Sequence, residues 1–243
     1  MAQYKITLHD PKPGNYFYKE ALKTLRANLQ FSGKSNKVIL VTSCRENEGK
    51  SDIAFHLSVE LANAGKKVLL VDADMRKSAY VRRLAIEERT NGLSQYLSGQ
   101  IEDVTSIVYR TNYPCLQMIL AGPPVPNPSE ILGDSAFGNL LKAARNSYDY
   151  VIVDTPPLGA IIDAAVVGQN CDGAVLVVES GAVSFRAAQR TKGQLEAAGC
   201  KVLGAVLNKV SGSGQGKYGY GKYGYGKYGY GYAYAYEDED SEE

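Results

Sequence analysis

Six short apolar runs rich in valine, isoleucine and leucine punctuate the chain: Lys37 to Ser43, Lys67 to Asp72, Leu116 to Leu120, Tyr150 to Asp154, Gly173 to Val178 and Val202 to Leu207. Apolar runs of this kind, with no polar alternation, suit strands buried on both faces. Between them, Ser51 to Ala64 and Phe185 to Ala198 carry the helical period, and each is followed by a stop-signal glycine, Gly65 and Gly199. A further helix, Tyr16 to Gln30, precedes the first strand. The alternation predicts an α/β chain with a mostly parallel sheet flanked by helices. Right-handed crossovers then bring the C-terminal strand ends to one edge, where ligands bind in open sheets. The stretch from Ala79 to Pro128 is richer in polar residues and proline, and its pattern is the weakest in the chain.

The first apolar run leads directly into Cys44-Arg45-Glu46-Asn47-Glu48-Gly49-Lys50-Ser51, with Asp52 opening the helix that follows. In the G-x-x-x-x-G-K-[ST] pattern, loop amides, a lysine and a helix N-terminus cradle phosphates. Gly49, Lys50 and Ser51 stand where the pattern requires them, whereas Cys44 takes the first glycine's place. A Gly-Lys-Ser tripeptide alone also fits an ordinary serine-capped helix start. Its position between a buried strand and a helix favours a P-loop NTPase fold, with Lys50 on the β- and γ-phosphates and the Ser51 hydroxyl on Mg²⁺.

Two other strands end in carboxylates at the same expected edge. Leu69-Leu70-Val71 runs into Asp72-Ala73-Asp74-Met75-Arg76, and Val151-Ile152-Val153 runs into Asp154-Thr155-Pro156-Pro157, a Walker B pattern. If the strand persists, Asp72 and Asp74 share a face. Aspartates also cap turns after strands, but three beside a phosphate loop would repel one another unless a divalent cation offset their charge. Asp154 is the candidate for holding Mg²⁺ through water, with Asp74 sharing metal or base duty. Asp72 would accept a proton from the nucleophile or orient it.

The last 33 residues, 211–243, have a different composition. They hold nine of the eighteen tyrosines, in three copies of Gly-Lys-Tyr-Gly-Tyr from Gly216 to Tyr230 and then Gly-Tyr-Ala-Tyr-Ala-Tyr. So much glycine raises the entropy lost on ordering, and little apolar surface offsets it, so the segment is expected to be a disordered tail. Its root-mean-square span is about 30 Å, long enough to reach a neighbouring molecule. Residues 1–210 remain as one domain with a sizeable core. The tail carries three lysines against six acidic residues between Glu237 and Glu243, leaving +4 for the rest of a chain whose formal charge is +1. That balance is too mild for a nucleic-acid partner.

Cys44, Cys115, Cys171 and Cys200 lie far apart with no C-x-x-C spacing and only two histidines in the chain, which argues against a zinc site. Reduced cytosolic thiols are the expectation. No segment resembles a signal peptide or a membrane span. A cytoplasmic protein is therefore expected, and any contact with the membrane's inner face would have to come through a partner.

Together, the loop ending Gly-Lys-Ser, the Val-Asp-Ala-Asp-Met-Arg segment, the Val-Ile-Val-Asp-Thr-Pro-Pro Walker B and the terminal tyrosine cluster resemble the bacterial tyrosine kinases of capsule and exopolysaccharide synthesis. The resemblance covers the whole chain, in the family's split form without membrane spans. It implies Walker A at Cys44 to Ser51, Walker A′ at Val68 to Asp74 and Walker B at Val151 to Asp154, with ATP and Mg²⁺ as ligands. It implies autophosphorylation in trans, with Tyr218, Tyr220, Tyr223, Tyr225, Tyr228, Tyr230, Tyr232, Tyr234 and Tyr236 as acceptors. Where the family commonly has a proline-glycine turn, this loop has Arg45, Glu46 and Asn47.

Glu20, Lys23 and Arg26 resemble the family's E-x-x-R-x-x-R oligomerisation motif, with lysine for the first arginine; a solvated helix face gives the same spacing. Asn208 resembles the residue that the family places at adenine, although a plain strand-end turn also fits. As partners, the resemblance implies a ring-like homo-oligomer, an octamer, together with a membrane-spanning activator of the polysaccharide copolymerase type and a tyrosine phosphatase. Two other functions share the loop: a Mg-ATPase switch of the septum-positioning or partition type, with water as nucleophile, and a nucleotide-gated scaffold. In the switch, the tail would only tether.

Overall fold

In a computed structural model, which describes residues 4–11, 16–159 and 161–210, eight strands form a single sheet in the order β1-β4-β5-β3-β6-β2-β7-β8. The strands are β1 (Tyr4–Lys5), β2 (Val38–Ser43), β3 (Val68–Asp72), β4 (Tyr109–Arg110), β5 (Leu116–Ile119), β6 (Tyr150–Asp154), β7 (Gly173–Glu179) and β8 (Val202–Asn208). Pairing is parallel except between β4 and β5. The six expected strands are present. The two additional ones, β1 at the edge and β4 between it and β5, are two-residue pieces, too short to show a period. The tyrosine cluster of residues 211–243 lies outside the described residues.

The central strands are apolar on both sides because helices cover both faces. Ile39 and Val41 of β2, Leu70 of β3 and Ile152 of β6 join one core with Leu29 of α1 (Tyr16–Phe31) and Ile53, Leu57 and Leu61 of α2 (Lys50–Asn63). Their alternates Val38, Leu40, Val71, Val151 and Val153 pack in a second core. Short helices α3 (Tyr80–Arg83), α4 (Leu93–Leu97), α5 (Pro128–Gly133) and α7 (Asp163–Gly168) fill the connections. Helix α6 (Ser135–Ser147) and helix α8 (Phe185–Ala197) supply Phe137, Leu141 and Leu195 to the second core.

Helix α6 is not among the sequence expectations, although Phe137, Leu140, Leu141 and Ala144 carry its period and Asp134 caps it by accepting from the Ala136 amide at 2.9 Å. Gly65 and Gly199 do end their helices in left-handed geometry, at φ 78° and 84°. Among the described residues no helix is long and apolar enough to cross a membrane.

Candidate active site

Strand order assembles the site. β6 lies between β3 and β2, with Asp154 opposite Asp72 in one ladder and opposite Val41 in the other. The loop leaving β2 therefore faces both strand-end carboxylates. The turn into α2 needs left-handed backbone at Asn47 (φ 63°) and Gly49 (φ 90°). A Cβ at Gly49 would lie 2.2 Å from the Asn208 amide nitrogen, so only glycine fits both the torsion and the space.

Loop side chains divide by direction. Glu48 is buried and acts as a brace: its carboxylate accepts from the Arg45 amide at 2.7 Å and from the Glu179 amide at 3.3 Å. Asn208, at the end of β8, donates to the Glu48 carbonyl at 2.8 Å, and Lys209 donates to the Asn47 carbonyl at 2.6 Å. Arg45 and Glu46 are exposed, the latter paired with Lys77 at 2.8 Å. Cys44 is buried, and burial pushes its thiol pKa up. Asp52 meets Tyr18 at 2.7 Å and also Arg83, joining α2 to α1 and α3. The sequence reading groups Cys44 to Asp52 and Asn208 as nucleotide contacts, whereas the structure gives Glu46, Glu48, Asp52 and Asn208 protein partners.

Lys50 lies at the centre of the charges. Its ammonium is 3.0 Å from Asp74, 3.7 Å from Asp154 and 3.1 Å from the Ser51 hydroxyl. Burial alone would lower its pKa, but Asp154, Asp74 and Asp72 outweigh burial and hold it above the usual lysine value. The β3 strand ends at Asp72, so Asp74 lies beyond it in a turn. There its amide donates to the Asp72 carboxylate at 3.1 Å and its own carboxylate accepts from the Lys77 amide at 3.0 Å.

Asp72 is fully buried, and Ser78 donates to it at 2.5 Å. Burial first, then the charge of Asp154, pushes its pKa up to about 8. Asp154 is shifted upward by burial too, against the pull of Lys50. Neither of its carboxylate oxygens accepts a hydrogen bond among the described residues.

A buried carboxylate with an ion pair to Lys50 but no hydrogen bond is the observation that fits a magnesium site. Buried oxygens rarely go unpartnered, and these belong to the strand end facing Ser51. No group of three or more His, Cys, Asp or Glu side chains among the described residues is placed to hold a metal ion alone. Magnesium suits such a site, because it takes one or two carboxylates and completes its shell with phosphate and water oxygens.

Comparison with known proteins agrees with this geometry. Residues 36–189 match a family model described as an AAA domain. The chain is 42% identical over 195 residues to the tyrosine-protein kinase CpsD of Streptococcus agalactiae, covering 80% of this chain and 84% of that protein. Its fold superposes on the kinase domain of the Escherichia coli tyrosine kinase ETK with a TM-score of 0.76 at 33% identity, over 84% of this chain and 80% of that one. The chain belongs to the bacterial tyrosine kinases. It is a P-loop protein-tyrosine kinase with a nucleotide-binding fold. The septum site-determining protein MinD of Pyrococcus horikoshii, solved with Mg-ADP, shares the fold at a TM-score of 0.61 and 23% identity, over 70% of this chain and 69% of that one.

Three parts of this kinase's site were not legible in advance. Arg76, two residues past Asp74, clamps the fully buried Asp163 through Nε at 2.8 Å and Nη2 at 3.1 Å, and Ser129 joins them. Tyr80 is fully buried and donates its hydroxyl to the Ser51 carbonyl at 3.0 Å. Glu48 looks like a ligand residue in sequence but turns inward. Each depends on a partner far along the chain, for which no local signal exists. On α1, Glu20 pairs with Lys23 at 2.6 Å on the exposed face, while Arg26 turns to the Glu60 carbonyl of α2 at 3.4 Å.

Proposed function

We propose that this kinase transfers the γ-phosphoryl group of ATP to tyrosines of the 211–243 segment of another copy of the chain. The observation that carries the reading is the Lys50 ammonium held at the head of α2 between Asp74 and Asp154, the latter a buried carboxylate with no hydrogen-bond partner among the described residues. Lys50 and the loop amides grip the phosphates, and the left-handed Gly49 lets the backbone approach them. Ser51 and Asp154 would hold Mg²⁺, which when bound offsets the charge of the β- and γ-phosphates. Asp74 positions Lys50 through the 3.0 Å pair.

Asp72 would be the proton acceptor in the loaded site, where Mg²⁺ offsets the charge of Asp154 that, after burial, keeps the free carboxyl protonated. As the phenol oxygen bonds to the γ-phosphorus, the bond to the bridging oxygen breaks, ADP leaves and the phenol proton passes to Asp72. We extend the reading to residues 1–210 as the kinase domain and 211–243 as the acceptor. Glu20, Lys23 and Arg26 would lie at a contact between copies in a ring. A membrane-spanning activator and an opposing tyrosine phosphatase complete a cycle controlling capsular or exopolysaccharide production at the inner face of the membrane.

The test is intact mass after incubation with ATP and Mg²⁺. Successive steps of about 80 Da, one per phosphate, are expected on the wild type and on neither K50M nor a chain ending at Val210. Mixing the chain ending at Val210 with K50M should modify the K50M copy, because transfer is between molecules. Phosphate release without protein modification would overturn the reading in favour of a water-attacked ATPase switch.

A further inference from the structure

Beside the start of the phosphate loop, Cys44 and Arg45 and the N-terminal half of α8 line a cleft of about 340 Å³. Arg45, Arg186 and Arg190 line it, and no carboxylate does. None of the three forms an ion pair among the described residues. Arg45 donates only weakly to a neighbouring carbonyl, that of Ala182 at 3.5 Å.

This arrangement works against the helix that carries it. Arg186 lies in the first turn of α8, where the positive end of the helix dipole disfavours a cation, and no acidic residue stands there to compensate. Arg186 and Arg190 are also a like-charged i,i+4 pair. A bound anion would relieve both strains.

Two features select the anion. Guanidinium forks match the oxygens of a phosphate bidentately. Ala187 and the arginine stems offer apolar surface to the phenyl ring that carries the phosphate. We propose that this cleft binds phosphotyrosine of an already modified acceptor segment from another copy of the chain, and thereby presents the next tyrosine for transfer. The inference rests on the tail-transfer reading above.

Acceptors in the segment recur every two or three residues. In extended chain at about 3.3–3.6 Å per residue, the next one lies about 7–11 Å away. Arg45 belongs to the same loop as Lys50 and Ser51, so a phosphate anchored there keeps the following phenol beside the transfer site. The first phosphate therefore primes those that follow.

The experiment uses the full chain, phosphatase-treated and nucleotide-free, titrated into fluorescent peptides of the Gly216–Tyr230 sequence with no phosphate or with one on Tyr225. At least tenfold tighter binding of the singly phosphorylated peptide is expected, lost in R186A/R190A and in R190E, and unaffected by Mg-ADP. In turnover, the phosphorylated peptide should show at least a tenfold lower KM in the wild type, and the same KM as the unmodified peptide in R186A/R190A.

Equal binding of the two peptides would overturn the proposal. So would a preference that persists in both variants, displacement by ADP, or equally tight binding of an unphosphorylated Glu237–Glu243 peptide. A changed oligomeric state of R186A/R190A on gel filtration would assign the arginines to a contact between copies instead. If the phosphopeptide preference appears and depends on the arginines while the wild-type tail gains no mass with ATP, the cleft stands and the tail-transfer reading falls.

Discussion

Replacing Asp72 with asparagine should make the nucleotide-free protein more stable while disabling it. The Asp72 carboxyl is fully buried beside Asp154 and Asp74, and its pKa is raised from 3.8 to about 8. At pH 7 the folded protein must hold a proton that the unfolded chain has released, or else bear a buried charge. Each tenfold change in proton affinity is worth about 1.36 kcal/mol, so the gap between pH 7 and the unfolded value corresponds to about 4 kcal/mol against folding. The sign follows from the upward displacement: this group favours folding below its unfolded pKa, and that contribution is lost as pH rises toward 8.

The amide in D72N keeps an oxygen for the Asp74 amide and can donate to the Ser78 hydroxyl, so the local hydrogen bonds survive. Urea unfolding of wild type and D72N at pH 5 and pH 7 is the measurement. Between those values the advantage of D72N should grow by about 3 kcal/mol, while tyrosine transfer falls by about 100-fold or more. Equal stability at pH 7, or a difference that does not change with pH, would refute the buried, proton-holding carboxyl of the nucleotide-free protein.

In G49A a Cβ must meet the Asn208 amide at 2.2 Å on left-handed backbone, so affinity for a fluorescent ATP analogue should fall at least about tenfold, the equivalent of 1.4 kcal/mol. Adding N208A should not restore it, because the torsion stays strained. R76A leaves the buried Asp163 without its clamp and should lose about 3 kcal/mol in urea unfolding, with D163N/R76A recovering part of the loss. Asp172 is pushed up by burial but held below the usual carboxylate value by Arg145 and the amides of Val38 and Lys37. Its contribution is therefore present above the unfolded pKa and lost as pH falls through the folded one. D172N should accordingly be less stable at pH 7, with a shallower loss of melting temperature on acidification below pH 4.

The chain's local patterns were enough to specify the parallel sheet, the strand-loop-helix that forms the phosphate loop, and the placement of Asp72, Asp74 and Asp154 after apolar strands. Those features are written in short-range periodicity, and burial on both faces leaves β2, β3 and β6 no other reading. The short strands β1 and β4 were illegible because two residues carry no period, whereas α6, with its apolar period and its Asp134 cap, is legible from sequence alone.

Tertiary structure decided which charges meet. Lys50 reaches Asp74 and Asp154 because β6 lies between β3 and β2, an order that no local pattern fixes. Glu48 turned inward because the Glu179 amide of β7 stands behind the loop, and Arg76 found Asp163 across 87 residues of chain. Residue type and spacing set what each segment can become. The strand order, through the packing of distant segments, set the electrostatic environment in which the same side chains act.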